Sequence, residues 1–574
     1  MKKLFLIIVC ILLLVAASVY LYTRYQVLKA KDFKPDKSRA KNVLDLRPTL
    51  IAKLQQLVKD GSDGLYVLSI ERLNADVISS KLDIINVAIG IDTVVMKNLD
   101  SLKKLPDDVF KIRFDSLHID GIGIEDLLNK KQIDVEKIYC SQPIIEVLHK
   151  LRPYNKVERE ARDSLSLYQK IKGQVNSIRI GEINIGHGNL INKNVSKKSQ
   201  TRFNDVTISM RGVLIDSSTE NDRKRFLFAK HAIIKSNNLN FPTADSLYFF
   251  KVGSISVLGE QHKIIASRVE LKPRGDKKQF PRKVPVRKER YDLAFPNVIL
   301  NNVDWYSLLN HEKVIAEEIE LNSGSFDVFL DRTPPPHAFK SHNFPHQVLK
   351  RLPFPLSISR LRLNNIDVSY EEVNPDIKKS ATAYFDNVIG TMTNISNLSE
   401  DIKKGKHITF SGKGLFMHKV PMTGKFSLDL AKYKTGDFTA DLTMDTLENT
   451  TINPIAETLS LFSVKKGQMQ HASAHVEGNN VKAKGVISFY YTNLHITPLK
   501  KDSADDGKLK KKTFTSFFAN TFLIKNSNPR NGDFRRPVYY VDRETRPNFF
   551  NFIWVTILTG ICKTIGIPPK FVVR

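Results

Sequence analysis

The sequence predicts a mainly β protein built from a duplicated unit, with an N-terminal transmembrane helix and few short helices, whose apolar sheet faces either close on one another as a sandwich or lie open along a curled sheet. Three observations lead there. Period-two alternation of apolar and polar residues, the mark of half-buried strands, dominates the body. Clear cases are "KIRFDSLHID", "SIRIGEINIG", "ISRLRLNNIDVSY", "HITFSGKGLF", "GKFSLDLA" and "DFTADLTMD". A long segment recurs without a gap about 180 residues later, the signature of a repeated structural unit. Helical periodicity is confined to short stretches near the two ends.

The elements follow in order. Residues 1–23 read as a transmembrane anchor, because Leu4 to Tyr22 carries no charge and is long enough to cross a hydrocarbon core of ~30 Å. A cleaved signal peptide is the alternative. Against it stand the length of the apolar run and the aromatic residues that follow Ala16-Ala17-Ser18, and Cys10 lacks the small residue before it that a lipoprotein signal requires. Arg24, Lys29, Lys31, Lys34 and Lys37 outnumber Lys2 and Lys3, and alone would hold the body inside. Long translocated domains override that bias, so the N-terminus is read as inside and the body as outside.

A basic linker (24–43) leads to an N-terminal helix with opening strands (44–110). The helix is expected from Pro48 to about Lys59, with Leu50, Leu54, Leu57 and Val58 on one face. A first β-rich repeat (111–290) and a second (291–500) follow. "FDSLHIDGIGIEDLLNKKQIDVEKIYCSQPIIEVL" from Phe114 aligns with "FPNVILNNVDWYSLLNHEKVIAEEIELNSGSFDVFL" from Phe295, and "FNDVTISM" at Phe203 with "FDNVIGTM" at Phe385. Cys140 falls opposite Leu321, which makes it a small packed hydrophobe. A basic connector (501–547) and a C-terminal amphipathic, largely apolar helix (548–574) complete the chain.

The 574 residues carry a net charge of +28, which implies anionic partners. The N-terminal anchor argues against nucleic acid and for a membrane. Basic residues concentrate in "LKPRGDKKQFPRKVPVRKERYD" and "LKKDSADDGKLKKKTF", either solvated loops or patches facing lipid phosphates. Three scattered cysteines exclude a disulfide framework.

Catalytic signatures are missing: the sequence holds no HExxH, GxSxG, P-loop or paired CxxC. "GHGNL" at Gly186 reads as a turn. His337, His342 and His346 lie in the proline-rich connector "DRTPPPHAFKSHNFPHQVLKRLPFPLS", without the rigid scaffold a metal needs. The expectation is no enzyme, no metal and no cofactor. In the terminal helix, Asn548, Asn551, Thr556, Thr559 and Lys563 form a narrow polar stripe, and Phe549, Phe552, Ile553, Trp554, Ile557, Leu558 and Ile561 are expected to contact a membrane. A cap packed over the end of a sheet is the alternative.

Taken together these stretches resemble the AsmA-like family of double-membrane bacteria, related to TamB and the bridge-like lipid transfer proteins, and in particular its Bacteroidetes-type members. The likeness rests on the anchor, on the opening "PTLIAKLQQLVKDGSDGLYVLSIERLNADVISSKLDIINVAIGIDT", on "IDVEKIYCSQPIIEV", on "NPIAETLSLFSVKKGQMQHASAHVEGNNVKAKGVISFYYTNLHITPL" with Gly467, Gly485, Tyr491 and Leu494 as structural markers, and on the closing "KNSNPRNGDFRRPVYYVDRETRPNFFNFIWVTILTGICKTIGI". The resemblance implies an elongated, curved and twisted antiparallel sheet forming an apolar groove, in a single-pass inner-membrane protein with its body in the periplasm. It also implies a role in outer-membrane biogenesis, moving phospholipid along a hydrophobic β-groove without catalysis. Phe114, Ile119, Phe295, Leu300, Phe410, Phe426, Phe438 and Phe489 are the expected groove residues. The partners expected are the inner membrane through residues 4–22, phospholipid or another acyl lipid, and the outer-membrane surface or a protein in it. A scaffold that assembles outer-membrane proteins by β-augmentation is the alternative.

Overall fold

A computed structural model describes residues 47–76, 80–122, 132–155, 168–169, 175–196, 199–243, 245–336, 342–501, 509–511, 524–543, 549–569 and 572. The expected anchor and basic linker lie outside them. No helix among the described residues is long and apolar enough to cross a membrane. The chain is mainly β, with its strands in one large mixed sheet and few short helices. It divides into two compact units: residues 1–241, 252–266 and 303–312, and residues 242–251, 267–302 and 313–574.

In the first unit, helix α1 (Arg47–Asp60) buries Leu54 and Val58, and the Gln55 amide donates to the Leu68 carbonyl (3.1 Å) of strand β1 (Tyr66–Asp76). β1, β2 (Lys81–Ile91) and β3 (Asp108–Ile122) form an antiparallel meander. Between β2 and β3, α2 (Thr93–Ser101) is capped by Asp92, whose carboxylate accepts from the amides of Val94 and Val95. β3 then pairs with both β4 (Gln132–Ser141) and β5 (Ile144–His149), two pieces of one line broken at Gln142. Both pieces run parallel to β6 (Ser177–Asn194), which pairs antiparallel with β7 (Ser199–Ile215) and that with β8 (His231–Pro242). Alternation buries one face completely: Ile178, Ile180, Val213 and Ile215 are 0% exposed. β9 (Tyr248–Leu258) and β10 (Lys263–Pro273) follow.

The arrangement then recurs. β11 (Arg290–Val303) occupies the sequence place of β3, and α3 (Trp305–His311) follows it. β12 (Val314–Asp331) takes the place of β4 and β5, and runs parallel to β13 (Leu356–Asn374), itself antiparallel to β14 (Lys379–Ser396). Backbone irregularities recur at matched positions: Gly121 and Asn302, Gln142 and Ser323, Asp205 and Asn387, Gly212 and Asn394 all have positive φ. Most of these are Gly, Asn or Asp, the residues that enter the left-handed region most cheaply. They bend the same strands at the same places.

The sheet is mixed, which corrects the antiparallel expectation. Alternation reports which face a residue takes but not strand direction. A parallel neighbour needs a long crossover, and the proline-rich segment between β12 and β13 supplies one. It carries α4 (Pro345–Lys350), anchored by Phe344 at 0% exposure.

The second unit continues through α5 (Ser399–Lys403), β15 (His407–Phe416), β16 (Val420–Asp429), β17 (Phe438–Met444), β18 (Leu447–Glu448), α6 (Asn449–Ile455) with a π turn at Ala456–Ser460, β19 (Phe462–Gly478), β20 (Lys482–Lys501), β21 (Leu509–Lys511), β22 (Val538–Asp542) and α7 (Phe549–Ile565). The late markers are packing devices: a Cβ on Gly467 would lie 2.9 Å from Leu494 Cα, and Tyr491, 1% exposed, donates to the Lys525 carbonyl at 2.8 Å.

Candidate functional site: the apolar face of the second unit

Cross-strand register sets one continuous apolar row across nine strands of the second unit. It runs Ile319, Leu361, Met392, Phe410, Phe426, Ala440, Val476, Gly485 and Tyr539 from β12 to β22. At ~4.8 Å per strand that is roughly 40 Å. A second row beside it starts at Leu321 and Leu363 and passes through Gly390, Gly412 and Gly424. The Phe410 ring lies on this glycine lane, since a Cβ on Gly390 or Gly412 would come within 2.7 or 2.6 Å of it. The opposite face is polar. Glu318 holds Arg360 (3.2 Å) and Arg362 (2.8 Å), Thr393 bonds Thr409 (2.7 Å), and Thr423 bonds Thr443 (2.6 Å). One wet face and one dry face is the usual logic of such a sheet.

The apolar face is covered unevenly. At β16 to β22 the terminal helix α7 lies on it, with Phe549, Phe552 and Ile553 against Phe438, Leu428, Ala440 and Val476. Toward one end of β13 and β14, Phe344 and Leu349 of the α4 region pack near Met392 and Ile395. Toward the other, Ile452 of α6 and Leu459 of the π turn pack near Ala381 and Phe385. Between these ends Ile319, Leu321, Leu361, Leu363 and Val368 are half-buried. Among the described residues they belong to the part of the apolar face that stays partly open to solvent.

The expected groove residues divide accordingly. Phe114 (3% exposed) and Ile119 (1%) are core residues of the first unit. Phe438 (4%) and Phe489 (9%) lie beneath or beside α7, so neither lines an open surface. Phe295, Leu300, Phe410 and Phe426 are half-buried, and the Phe295 ring lies over Gly324. Sequence reasoning missed Leu361, Leu363 and Ile319. Their signal was present in the alternation of "ISRLRLNN" for the two leucines and of "VIAEEIEL" for Ile319, but bulky aromatics drew the choice.

The terminal helix is a docked element, held by an aromatic cluster. Phe344 meets Phe438, Phe549 and Phe552 with ring centroids 5.4, 5.2 and 6.4 Å apart, and the buried Arg543 guanidinium sits 3.8 Å over the Phe344 ring. Close approach comes from glycine. The Tyr539 ring is wedged between Gly485 and Gly560, each of which would place a Cβ within about 2.5 Å of it. Phe549, Phe552 and Ile553 therefore face protein, not a bilayer, in this arrangement. Of the expected polar stripe, Thr556 and Thr559 are buried, and Thr556 returns its hydroxyl to the Phe552 carbonyl (2.8 Å) and needs no water. Asn551 is half-buried, Lys563 is exposed, and Asn548 lies outside the described residues. Facing outward are Phe550 (63% exposed) and Trp554 (41%), with Ile557, Leu558 and Ile561 half-buried.

Reactive groups are scarce. No cluster of His, Cys, Asp or Glu among the described residues could hold a metal. His337 lies outside them. His346 is 1% exposed with neither ring nitrogen hydrogen-bonded, and burial lowers its pKa to about 4 against the opposing pull of Asp429 and Asp437. Burial raises the Cys140 and Cys562 thiols to about 12, Cys140 with help from Asp115. The basic connector before β11 is folded down: Phe280 is 1% exposed, Lys277 pairs with Glu371, Lys288 with Asp245 (3.0 Å), and Arg287 donates to the Pro334 carbonyl (2.8 Å). Much of that charge is thus engaged internally. No family model matches the chain, and comparison with curated proteins gives no match.

Proposed function

We propose that the chain is a non-enzymatic lipid-handling protein. In this reading residues 4–22 anchor it in an inner membrane, the body stands in the periplasm, and acyl chains, chiefly of phospholipid, lie along the apolar face of the second unit. The protein passes them between membranes in outer-membrane biogenesis. One observation carries the reading: Ile319, Leu361 and Leu363, at the head of the two neighbouring rows, form an apolar patch that is only half-buried. Water against such a row is unfavourable at ~25 cal/mol per Å², and an acyl chain would replace it. The outward Phe550 and Trp554 of α7 suit contact with a second membrane or a protein in it.

The test is mass spectrometry of lipid co-purifying with the full chain and with Leu361→Asp/Leu363→Asp. The expected result is phospholipid near stoichiometry, lost in the folded variant. Equal lipid in both would sink the proposal. The scaffold reading has its own support in β22, which among the described residues pairs with β20 alone and exposes Val538 and Tyr540. It predicts a protein client crosslinking to β22 and no bound lipid.

A further inference from the structure

The two repeats differ at one row of the apolar face. In the first unit the row runs Cys140, Ile185, Ile208 and Ile234 across β4, β6, β7 and β8, and Ile185 and Ile208 are buried. The matched row of the second unit runs Leu321, Leu363, Gly390 and Gly412 across β12 to β15 and continues to Gly424 on β16. Gly390 stands where the first repeat has Ile208. One repeat therefore carries stiff, β-branched side chains at this place, and the other a strip with no side chains at all. At ~4.8 Å per strand the strip is roughly 10 Å long.

Two rings lie over it. A Cβ on Gly390 or Gly412 would come within 2.7 or 2.6 Å of the Phe410 ring, which reaches over from the neighbouring row on β15. Phe426 leans over Gly424 on β16, 3.5 Å from the place of its Cβ. The two ring centroids are 5.8 Å apart, and the Phe426 ring lies 6.4 Å from that of Phe549 and 6.3 Å from that of Phe550. Phe410 and Phe426 thus form a barrier from β14 to the margin of α7. The half-buried Leu321 and Leu363 lie before it.

The geometry points to Phe410 and Phe426 as a stop that sets how long an acyl chain the open patch accepts. This rests on the lipid reading above and names its selectivity: a straight, unbranched chain lies on Leu321 and Leu363, with its end against the Phe410 ring. The tail end meets the ring, because a polar head placed against an aromatic face would lose its hydrogen bonds to water. Phe410 and Phe426 are then the end wall of the groove, not its floor. Where a ring is removed, the glycines beneath offer no side chain in its place, and the strip becomes a trench continuous with the patch.

The test mixes lauroyl, myristoyl, palmitoyl and stearoyl lysophosphatidylglycerol in equal amounts with the full chain held in an amphipathic polymer. Mass spectrometry reads the bound fraction. Phe410→Ala and Phe426→Ala should each raise the ratio of longer to shorter probes, roughly tenfold for each two methylenes that enter the trench. Phe410→Leu, which keeps an apolar side chain over the glycines, should hold most of the original preference. Ile389→Ala, on the polar face of β14 opposite Lys413, should leave it unchanged. If the unaltered chain retains no probe, the lipid reading falls and the stop with it. If it retains probes with the same length preference as both alanine variants, the stop alone is overturned. An equal shift in Ile389→Ala overturns it as well. Circular dichroism of each variant confirms that the fold is kept.

Discussion

Gly560 offers a test in which local and tertiary effects have opposite signs. It lies in the middle of α7, and replacing a helical glycine by alanine normally stabilises by about 1 kcal/mol. Here the new Cβ would come 2.3 Å from the Tyr539 hydroxyl and 2.5 Å from two ring carbons. Carbon contacts settle near ~3.5–4.0 Å. The ring has little room to retreat, because the Gly485 backbone lies close on the sheet side, where a Cβ would itself come within 2.5 Å of the ring. Relief must come from lifting the helix, and overpacking of this kind costs about 1–3 kcal/mol. Gly560→Ala should therefore destabilise the second unit by about 1 kcal/mol net, and Gly560→Val by more. Urea unfolding followed by Trp554 fluorescence measures it, in a Trp305→Phe background shared by all variants. That background isolates α7 because the chain has only two tryptophans. A more stable Gly560→Ala protein would show that the helix does not seat on Tyr539, and the cap over Phe438 would fall with it.

Other consequences follow from the same packing. Phe438→Ala should cost about 3–5 kcal/mol and release α7, whereas Leu361→Ala, at a half-buried position, should cost clearly less; similar melting temperatures for the two would contradict the division into covered and open face. His346 resists protonation when folded, while the unfolded imidazole takes a proton below about pH 6.5. Its contribution is thus complete above about pH 6.5 and fades as pH falls toward 4, by up to about 3 kcal/mol. His346→Leu should remove that part of the acid sensitivity, so parallel acid losses in urea melts of both proteins would exclude this histidine as the source. In a Cys10→Ser protein, Cys140 and Cys562 should stay silent to a thiol reagent at pH 8 and react after denaturation; fast reaction of the folded protein would show their environments to be open.

Much of the fold is legible residue by residue. The alternation in "SIRIGEINIG" becomes the buried Ile178, Ile180 and Ile183 of β6, and the helix expected from Pro48 begins at Arg47. Strand direction was not legible, since a parallel and an antiparallel neighbour demand the same alternation. Nor was the open part of the face. Phe438 and Leu361 obey the same pattern, and only the placement of α7, from more than a hundred residues downstream of Phe438, makes one covered and leaves the other half-exposed. The terminal helix misled for a different reason. A helical projection counts Thr556 and Thr559 as water-seeking, but a threonine can satisfy its hydroxyl on its own helix and be buried. The aromatic residues on the far side, Phe550 and Trp554, are the ones left exposed.

The most direct measurement of lipid handling is site-specific photocrosslinking in living cells, with a photoreactive phenylalanine analogue at Leu363 on the apolar row and, separately, at Lys413 on the polar face of the same sheet. The account predicts a phospholipid adduct at Leu363 and none at Lys413. Adducts at neither position, or to protein alone at Leu363, would contradict it.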